Sequence, residues 1–561
     1  MSDVYASLSL ILANTYAADK EIRQKAEKDL EGFLKLSNAF NGFLGLCQLP
    51  GTDTNIKLAA ALTLKNKARD FWQTKDPIYP MTEDEKTYCK DAIITLILNE
   101  TYNPLRSLLA EVLKGIVEHE YPTNWPQLLP TLVTNLSSPE PIKIYNTLII
   151  IRKLTKFYQF SKLPKRTILY DIIIAVFPTL QGLISSLLNH NTIEVAMVFH
   201  ITLKIFYSCV MHTLPKLPVE SQSACDINFW FQFMSFILEK NLPENDGSGS
   251  EPIGQPIHPD ERKQWPWWKA KKWSSKTISL ILARYGNPNT AAEENEQFAK
   301  YFRDVTAPTL LGPIMNSLAS VTRGSYITEE VHRHCLSFMS NAIEMAPTYK
   351  LIKSHLDFVL FSMIMPTISL TDSDIQLFTD DPQEFVRKIN NPMDEWLDPR
   401  VSATNLLEAL VRLRTKDALP MLMTWITQQL SIYDNEQDIN KKNYKLKDSI
   451  LLAMATISMV SIYMCICMYV HVCIAVFVLV QRVQGLILNI YHVVELELGV
   501  VVVEPTDDYT FLPPLLNYFD DWFIACACSM RSTVCNSYFL LSIYNLLLTT
   551  YSITFHNIYN F

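Results

Sequence analysis

The sequence predicts an all-α chain built as a linear array of antiparallel helix pairs. Three observations carry this reading. Over residues 1–450 apolar side chains recur at helical spacing, in segments separated by short polar or Pro/Asn breaks. Glycine is scarce, 14 in 561 residues, and no Asn-Gly signal sits between alternating runs, so β-hairpins are not expected. The segments also follow one another in pairs with a recurring length, the pattern of a solenoid in which each pair buries its face only against its neighbours. The pattern points to a HEAT-type α-solenoid, with a globular helical enzyme as the alternative.

Taken in order, Tyr5–Tyr16 is followed by Asp19–Leu36. There Asp19 is the expected N-cap, and Ile22, Ala26, Leu30 and Phe33 line one stripe. Phe40–Gln48, a Pro50-Gly51 turn and the long helix Thr54–Trp72 come next. The alternation continues with Glu83–Asn99, Leu105–His119, Trp125–Leu136, Ile142–Phe160, Thr167–Asn189 and Thr192–Thr213. Residues 241–264, rich in Gly, Ser, Pro, Asn and Glu, are expected to form a flexible linker. Gly247-Ser248-Gly249 within it is not a phosphate loop, because no apolar strand precedes it and no Lys-Ser/Thr follows.

Trp265-Pro266-Trp267-Trp268-Lys269-Ala270-Lys271-Lys272-Trp273 then opens a helix that ends at Tyr285-Gly286-Asn287-Pro288. Pro266 suits a first helical turn, and a glycine with proline soon after is a stop signal. Packing of Trp265, Trp267, Trp268 and Trp273 against a neighbouring repeat is weighed against a ligand surface, and the three lysines read as solvated. Phe298–Arg323, Thr328–Met345, Leu351–Leu370, Val401–Arg414, Ala418–Tyr433 and Tyr444–Ser458 continue the helices. Between them Asp372, Asp374, Asp380, Asp381, Glu384, Asp394, Glu395 and Asp398 make an acidic stretch: a solvated surface loop, or a site for a basic partner.

Composition narrows function. The net charge of −8 lacks the basic footprint of a nucleic-acid binder. No Lys or Arg precedes the first apolar run, so a signal peptide is not expected, and the cysteines do not form a disulfide framework, which suits a reducing compartment. His-Glu-x-x-His, Gly-x-Ser-x-Gly, the P-loop and paired Cys-x-x-Cys are all missing from the sequence. His332-Arg333-His334-Cys335 is the densest ligand-like cluster, but adjacent residues on a helix diverge, which suits a single metal poorly. No enzyme, cofactor or metal is expected; function should come from binding.

Within Thr54–Trp72 one side is apolar (Ala60, Ala61, Leu64, Ala68, Phe71, Trp72), while Asn66, Arg69 and Asp70 point away and Lys65 and Lys67 flank. The helix is either an inner repeat helix with a solvated face or part of a partner-binding surface.

Four segments in order resemble one family. Ala26–Leu30 with Lys57–Ala68 and Trp72 resemble the N-terminal domain of the importin-β (karyopherin-β) superfamily. Glu118–Pro122 with Trp125–Pro130 resembles its Tyr-Pro and Trp-Pro turn between repeats. Trp265–Trp273 running to Arg284-Tyr285-Gly286 is similar to a segment of the importin 7/8 branch, and Asp381–Arg387 to an Asp-Pro-x-Glu-aromatic-aliphatic-Arg segment of that branch and of the related export receptor of importin-α. The resemblance implies a nuclear transport receptor that binds protein cargo, passes the pore through Phe-Gly nucleoporins and answers to Ran-GTP, in cytoplasm, nucleus and at the nuclear envelope. It places Ran on the N-terminal repeats, with Lys65, Asn66, Lys67 and Arg69 as contacts. Basic cargo such as ribosomal proteins or histones would meet Asp372, Asp374, Asp380, Asp381 and Glu384. Trp125 and the four tryptophans of 265–273 are family structural positions. Direct nucleic-acid binding and membrane insertion are not implied.

The expected organisation is therefore N-terminal Ran-binding repeats at 1–120, further repeats at 121–240, a linker at 241–264, repeats at 265–459 and a tail at 460–561. In the tail lysine vanishes and only Arg482 and Arg531 remain. Leu451–Val480 is apolar and long enough to cross a bilayer. Its texture around Tyr463–Ile474 is that of a translated simple DNA repeat, and the resemblance fades beyond Met459. The tail is expected to be intron read-through or frameshifted sequence, with the family's further repeats missing; a genuine membrane anchor is the rival. A non-transport HEAT scaffold is the other alternative.

Overall fold

Polar residues set the helix starts. Asp19 accepts from the backbone N–H groups of Glu21 and Ile22 at 2.7 and 3.2 Å, and Thr82, Thr192 and Thr328 accept from the N–H three residues on. Each satisfies donors that the first helical turn leaves free. The computed structural model describes residues 2–458 except 73–80, 163, 218, 245–253, 390–397 and 439–440. The chain divides into two units, Met1–Met464 and Cys465–Phe561, and every described residue lies in the first. The expected tail and the apolar run beyond residue 458 lie outside the described residues.

The first helices are α1 (Ser2–Asn14), α2 (Lys20–Leu34), α3 (Ala39–Gln48), α4 (Thr54–Phe71), α5 (Glu83–Asn99), α6 (Asn103–Glu120), α7 (Leu128–Leu136) and α8 (Pro141–Tyr158). Then follow α9 (Thr167–Leu187), α10 (Ile193–Val210), α11 (Ile227–Glu239), α12 (Pro259–Gln264) and α13 (Pro266–Ile281), the last continued by a π-helical turn at Leu282–Gly286. The series runs on through α14 (Glu296–Tyr301), α15 (Ala307–Thr322), α16 (Glu329–Ala342), α17 (Ala346–Lys353) and α18 (Met365–Ile368) to α19 (Asp372–Asp380), α20 (Pro382–Ile389), α21 (Pro399–Leu413) and α22 (Thr415–Asn435), with a further helix at 444–458.

These form two rows. α3, α5, α7, α9, α11 and α15 each pack on a partner, respectively α4, α6, α8, α10, α13 and α16. The partners stack in turn, α4 on α6, α6 on α8, α8 on α10, α10 on α13, α13 on α16 and α16 on α21, so the second row is unbroken. One hydrophobic cluster runs between the rows from Leu8 to Ala453. α9 and α10 are long and apolar enough to cross a bilayer, but here they pack on each other and on α7, α8 and α13.

The array is stitched by polar side chains that reach the carbonyls at a neighbour's C-terminus, groups the helix itself leaves unpaired. Lys67 Nζ donates to Leu34 O at 2.7 Å, closing α2. Buried Asn146 donates to the carbonyls of Ile97, Leu98 and Glu100 at 2.9, 3.0 and 3.0 Å, closing α5. Lys271 Nζ donates to Leu238 O at 2.7 Å, at the end of α11. Arg284 reaches Met211 O at 2.7 Å after α10, and Arg414 reaches Ile343 O at 2.7 Å and Glu344 O at 3.2 Å after α16. The cationic members also complement the negative end of the helix dipole.

Several expectations are corrected. α11 was not anticipated, although its Asp226 cap and the exposed Asn228, Gln232 and Glu239, at helical spacing opposite buried Trp230, Phe231 and Phe233, mark it as an amphipathic helix. Residues 254–264 of the expected linker are not flexible. They are held down by buried Gln255, which accepts from Trp268 Nε1 at 2.9 Å and donates to Glu244 at 2.6 Å, and by Arg262, paired with Glu244 at 2.9 Å. Leu351–Leu370 is not one helix: α17 ends at Lys353, and a π-helical turn at Phe358–Ile364 leads into α18. The acidic stretch is not a loop over its described part but the two helices α19 and α20, which pack on each other with Phe378 and Phe385 edge to face at 5.2 Å.

Candidate partner-binding surface

The N-terminal candidate residues lie on α4. Asn66 is exposed, Lys65 is half-buried, and Arg69 is exposed but forked onto Asp70 at 2.7 and 3.1 Å. That pairing raises the Arg69 pKa and lowers that of Asp70. Lys67 is a correction. It is 4% exposed, its ammonium is spent on Leu34 O, and burial lowers its pKa against the pull of Glu85, so it offers nothing to a partner. Lys67 lies seven residues from Ala60 and three from Leu64, on the apolar face, which puts its head group at the helix junction.

Lys65 faces α6. There Glu111 takes an ion pair from Lys153 of α8 and stands 3.9 Å from Lys114. Burial works against ionisation of Glu111, but Lys153, Lys114 and Lys65 outweigh it and hold its pKa below the ordinary value. From this point the second row turns basic. Half-buried Arg152 and Lys153 and exposed Lys156 on α8 are followed by half-buried Lys204 on α10 and Lys269, Lys272 and Lys276 on α13. Arg333 on α16 continues the series. This face was missed, although α8, α10 and α13 together contain one acidic residue, Glu194, and a charge count per helix finds it.

The family turn is a buried polar junction. Trp72 Nε1 donates to Glu120 Oε1 at 2.8 Å, and Lys90 reaches Glu120 Oε2 at 3.2 Å and Asn124 O at 3.1 Å, so the end of α6 locks α4 to α5. Trp125 lies 6% exposed beside it. In the second tryptophan cluster Trp265, Trp267 and Trp268 are buried, and Trp273 is half-buried against Tyr207 at 5.0 Å. They pack the array. The lysines among them are not all solvated: Lys271 is buried and spent on Leu238 O, and Lys272 pairs with Glu330 at 2.8 Å.

The acidic candidates are largely neutralised. Asp372 pairs with Lys445, Asp374 with Lys388 at 2.8 Å, and Glu384 with Arg387 at 2.8 Å. Asp374 also closes a capping box with Thr371; burial opposes its ionisation, but the bonds from Lys388 and Thr371 lower its pKa. Asp380 and Asp381 are exposed and have no cationic partner among the described residues. Asp394 and Glu395 lie outside the described residues.

His332 and His334 are buried, and burial lowers their pKa values to about 4 and about 3. Among the described residues no three His, Cys, Asp or Glu side chains are grouped as metal ligands.

Comparison with known proteins follows this geometry. Residues 26–99 match the importin-beta N-terminal domain, residues 102–237 the exportin 1-like protein family and residues 295–471 the Cse1 family. The chain is 28% identical over 458 residues to an importin beta-like SAD2 homolog of Arabidopsis thaliana, covering 80% of this chain and 43% of that one. It is 25% identical over 432 residues to importin-8 of Mus musculus (76% and 41% covered), and 22% identical over 457 residues to a probable importin-7 homolog of Dictyostelium discoideum (80% and 42%). It thus spans less than half the length of these curated relatives. The exportin Cse1 in its cargo-free, cytoplasmic state shares the fold with a TM-score of 0.55 at 16% identity, covering 81% of this chain and 46% of that one. Lph2, a bidirectional nuclear transport receptor of S. cerevisiae, does so with 0.54 at 14%, covering 80% and 45%. With three karyopherin domains matched in order along one unbroken stack of helices, the chain belongs to the importin-β superfamily.

Proposed function

We propose that this chain acts as a nuclear transport receptor that exchanges protein cargo against Ran-GTP while moving between cytoplasm and nucleus. The observation that carries the reading is the continuous second row from α4 to α21, coincident with the three matched domains: an extended surface on which two ligands can favour different states and so weaken each other. Import is the proposed direction, on the likeness of Trp265–Trp273 to the importin 7/8 branch. Passage would use Phe-Gly nucleoporins at the pore.

Ran-GTP would meet α4 through Lys65, Asn66 and Arg69, with Arg69 leaving Asp70 as it engages. Basic cargo such as ribosomal proteins or histones would meet Asp380 and Asp381, since the other carboxylates of α19 and α20 already hold Lys445, Lys388 and Arg387.

The test is capture of the full chain on immobilised Ran loaded with GTP or GDP, beside the variant Lys65→Glu/Arg69→Glu. Selective capture by the GTP form, lost in a variant that melts like wild type, supports the reading. Equal capture by both forms of Ran, or a variant that binds as well as wild type, sinks the proposed contact.

A further inference from the structure

Among the described residues the basic face of the second row is only partly paired with acids. Across α8, α10, α13 and α16 it presents Arg152, Lys153, Lys156, Lys204, Lys269, Lys272, Lys276 and Arg333. Glu111 neutralises Lys153 and Glu330 neutralises Lys272. Lys156, Lys204, Lys269 and Lys276 have no carboxylate within ion-pair reach among the described residues. Arg333 faces His334 at 3.1 Å, and its Nε is buried without a partner. Burial, followed by Arg152, Lys156, Lys269 and Lys272, lowers the Lys204 pKa to about 8; burial, followed by Lys204, Lys269, Arg152 and Lys272, lowers that of His200, and every one of these neighbours is cationic. In a chain of net charge −8 this is a local concentration of uncompensated, partly desolvated cations.

Two of the ammonium groups are held rather than free. Lys276 lies over the rings of Tyr207 at 5.0 Å and Trp273 at 4.9 Å, and Lys204 over Trp273 at 5.5 Å. Cation–π contact fixes the heads at the junction of α10 and α13, where neighbouring charges would otherwise drive them apart. A row of like charges held together in this way stores repulsion that an anionic ligand relieves.

We infer that this face binds an extended, carboxylate-rich segment of a partner protein, laid across α8, α10, α13 and α16. Packed helices stand roughly 10 Å apart, so the four span roughly 30 Å, the reach of about nine residues in extended conformation. Lysine dominates the face, and lysine meets carboxylates as a point charge without the fixed fork of arginine. The aromatic faces of Trp273 and Tyr207 are already covered by lysine, which removes the stacking platform a single-stranded nucleic acid would use. The inference is independent of the transport reading, because a scaffold would use the same face.

The experiment measures binding of fluorescein-labelled peptide to the full chain by anisotropy. The probe is a dodecapeptide of repeated Glu-Ser-Glu-Glu; its Gln-for-Glu counterpart and an oligouridylate of matching length are the comparison arms. Lys156→Gln/Lys269→Gln/Lys276→Gln removes three unpaired cations. Lys25→Gln/Lys28→Gln/Lys416→Gln removes the same charge from exposed positions elsewhere. The acidic peptide is expected to bind with strong salt dependence, the Gln peptide not to bind, and the first variant to weaken binding about tenfold while the second changes it less than about twofold. Single variants at Lys156, Lys269 and Lys276, each checked by thermal melting, keep the test decisive if the triple variant unfolds. Equal losses from both triple variants, no binding of the acidic peptide, or oligouridylate binding as tightly as the peptide would overturn the inference.

Discussion

Replacing Asn146 with leucine keeps the branched heavy-atom framework of the side chain and removes every hydrogen bond the residue makes. In the folded chain Asn146 is fully buried between α5 and α8. Its amide serves the carbonyls of Ile97, Leu98 and Glu100, and its Oδ1 accepts from Arg106 Nη1 at 3.0 Å. Arg106 is buried too, its Nε already lacks a partner, and it would keep only Asn103 Oδ1 at 3.1 Å and its place over the Tyr145 ring. Each polar group orphaned in the interior costs about 1–3 kcal/mol, and partial relaxation of the carbonyl of Glu100 toward solvent brings the sum to roughly 3 kcal/mol. Because a solenoid repeat contacts only its neighbours, that cost should appear locally rather than as a uniform loss. Hydrogen exchange read by mass spectrometry should show opening of residues 93–106 and 141–152 increased roughly a hundredfold, with α11 unchanged. Unchanged exchange over 93–106 in a folded Asn146→Leu chain would refute the idea that polar caps stitch the repeats. Exchange rising equally along the whole array would refute the claim that they do so locally.

Other perturbations bear on the same architecture. For Lys271, burial, the leading cause, lowers the pKa from 10.5 to about 8, so across that window the folded chain binds fewer protons than the unfolded chain. The Lys271 contribution therefore rises with pH there, and denaturant midpoints of wild type relative to Lys271→Met should increase from pH 8 to pH 10.5; a constant difference would contradict the burial of an ammonium. Trp268→Phe deletes the donor to Gln255 and leaves that buried amide short of a partner, a loss of about 1 kcal/mol that should speed trypsin cleavage at Arg262 and Lys263 about fivefold. A Cβ at Gly286 would lie 2.6 Å from the Phe302 ring, so Gly286→Ala should cost about 1–3 kcal/mol in melting experiments, and Phe302→Leu in the same chain should restore part of it. Burial pushes the thiols of Cys47 and Cys335 up to about 12, so peptide mapping should find both unmodified by iodoacetamide until the chain is unfolded.

How much of this was legible in the sequence depends on what a side chain does rather than on how unusual it looks. Helices with a clear apolar stripe and a polar cap, such as Lys20–Leu34 behind Asp19, were readable almost to the residue. α11 carried the same signals, an Asp226 cap and a polar face of Asn228, Gln232 and Glu239 opposite Trp230 and Phe231, and was overlooked rather than illegible. Gln255 was unreadable, since a polar residue among Pro and Gly gives no hint that a distant indole N–H needs an acceptor.

The lysines make the sharpest case. Lys67 and Lys271 read as surface charge by residue type, yet both sit on apolar faces and are consumed inside the array by carbonyls at helix ends. Lys156, Lys204, Lys269 and Lys276 belong to the same composition and have no carboxylate partner among the described residues, because α8, α10 and α13 hold almost no acid to pair with. A cation that closes a helix is consumed by a carbonyl, whether buried as Lys67 and Lys271 are or exposed as Arg284 is, whereas one that meets a partner must be held near the surface and left unpaired. Both kinds occur within a few residues on α13, Lys271 reaching the end of α11 while Lys269 and Lys276 have no carboxylate partner among the described residues. The helical repeat of 3.6 residues is enough to separate them, and the same helix can therefore fasten the array and present its charge.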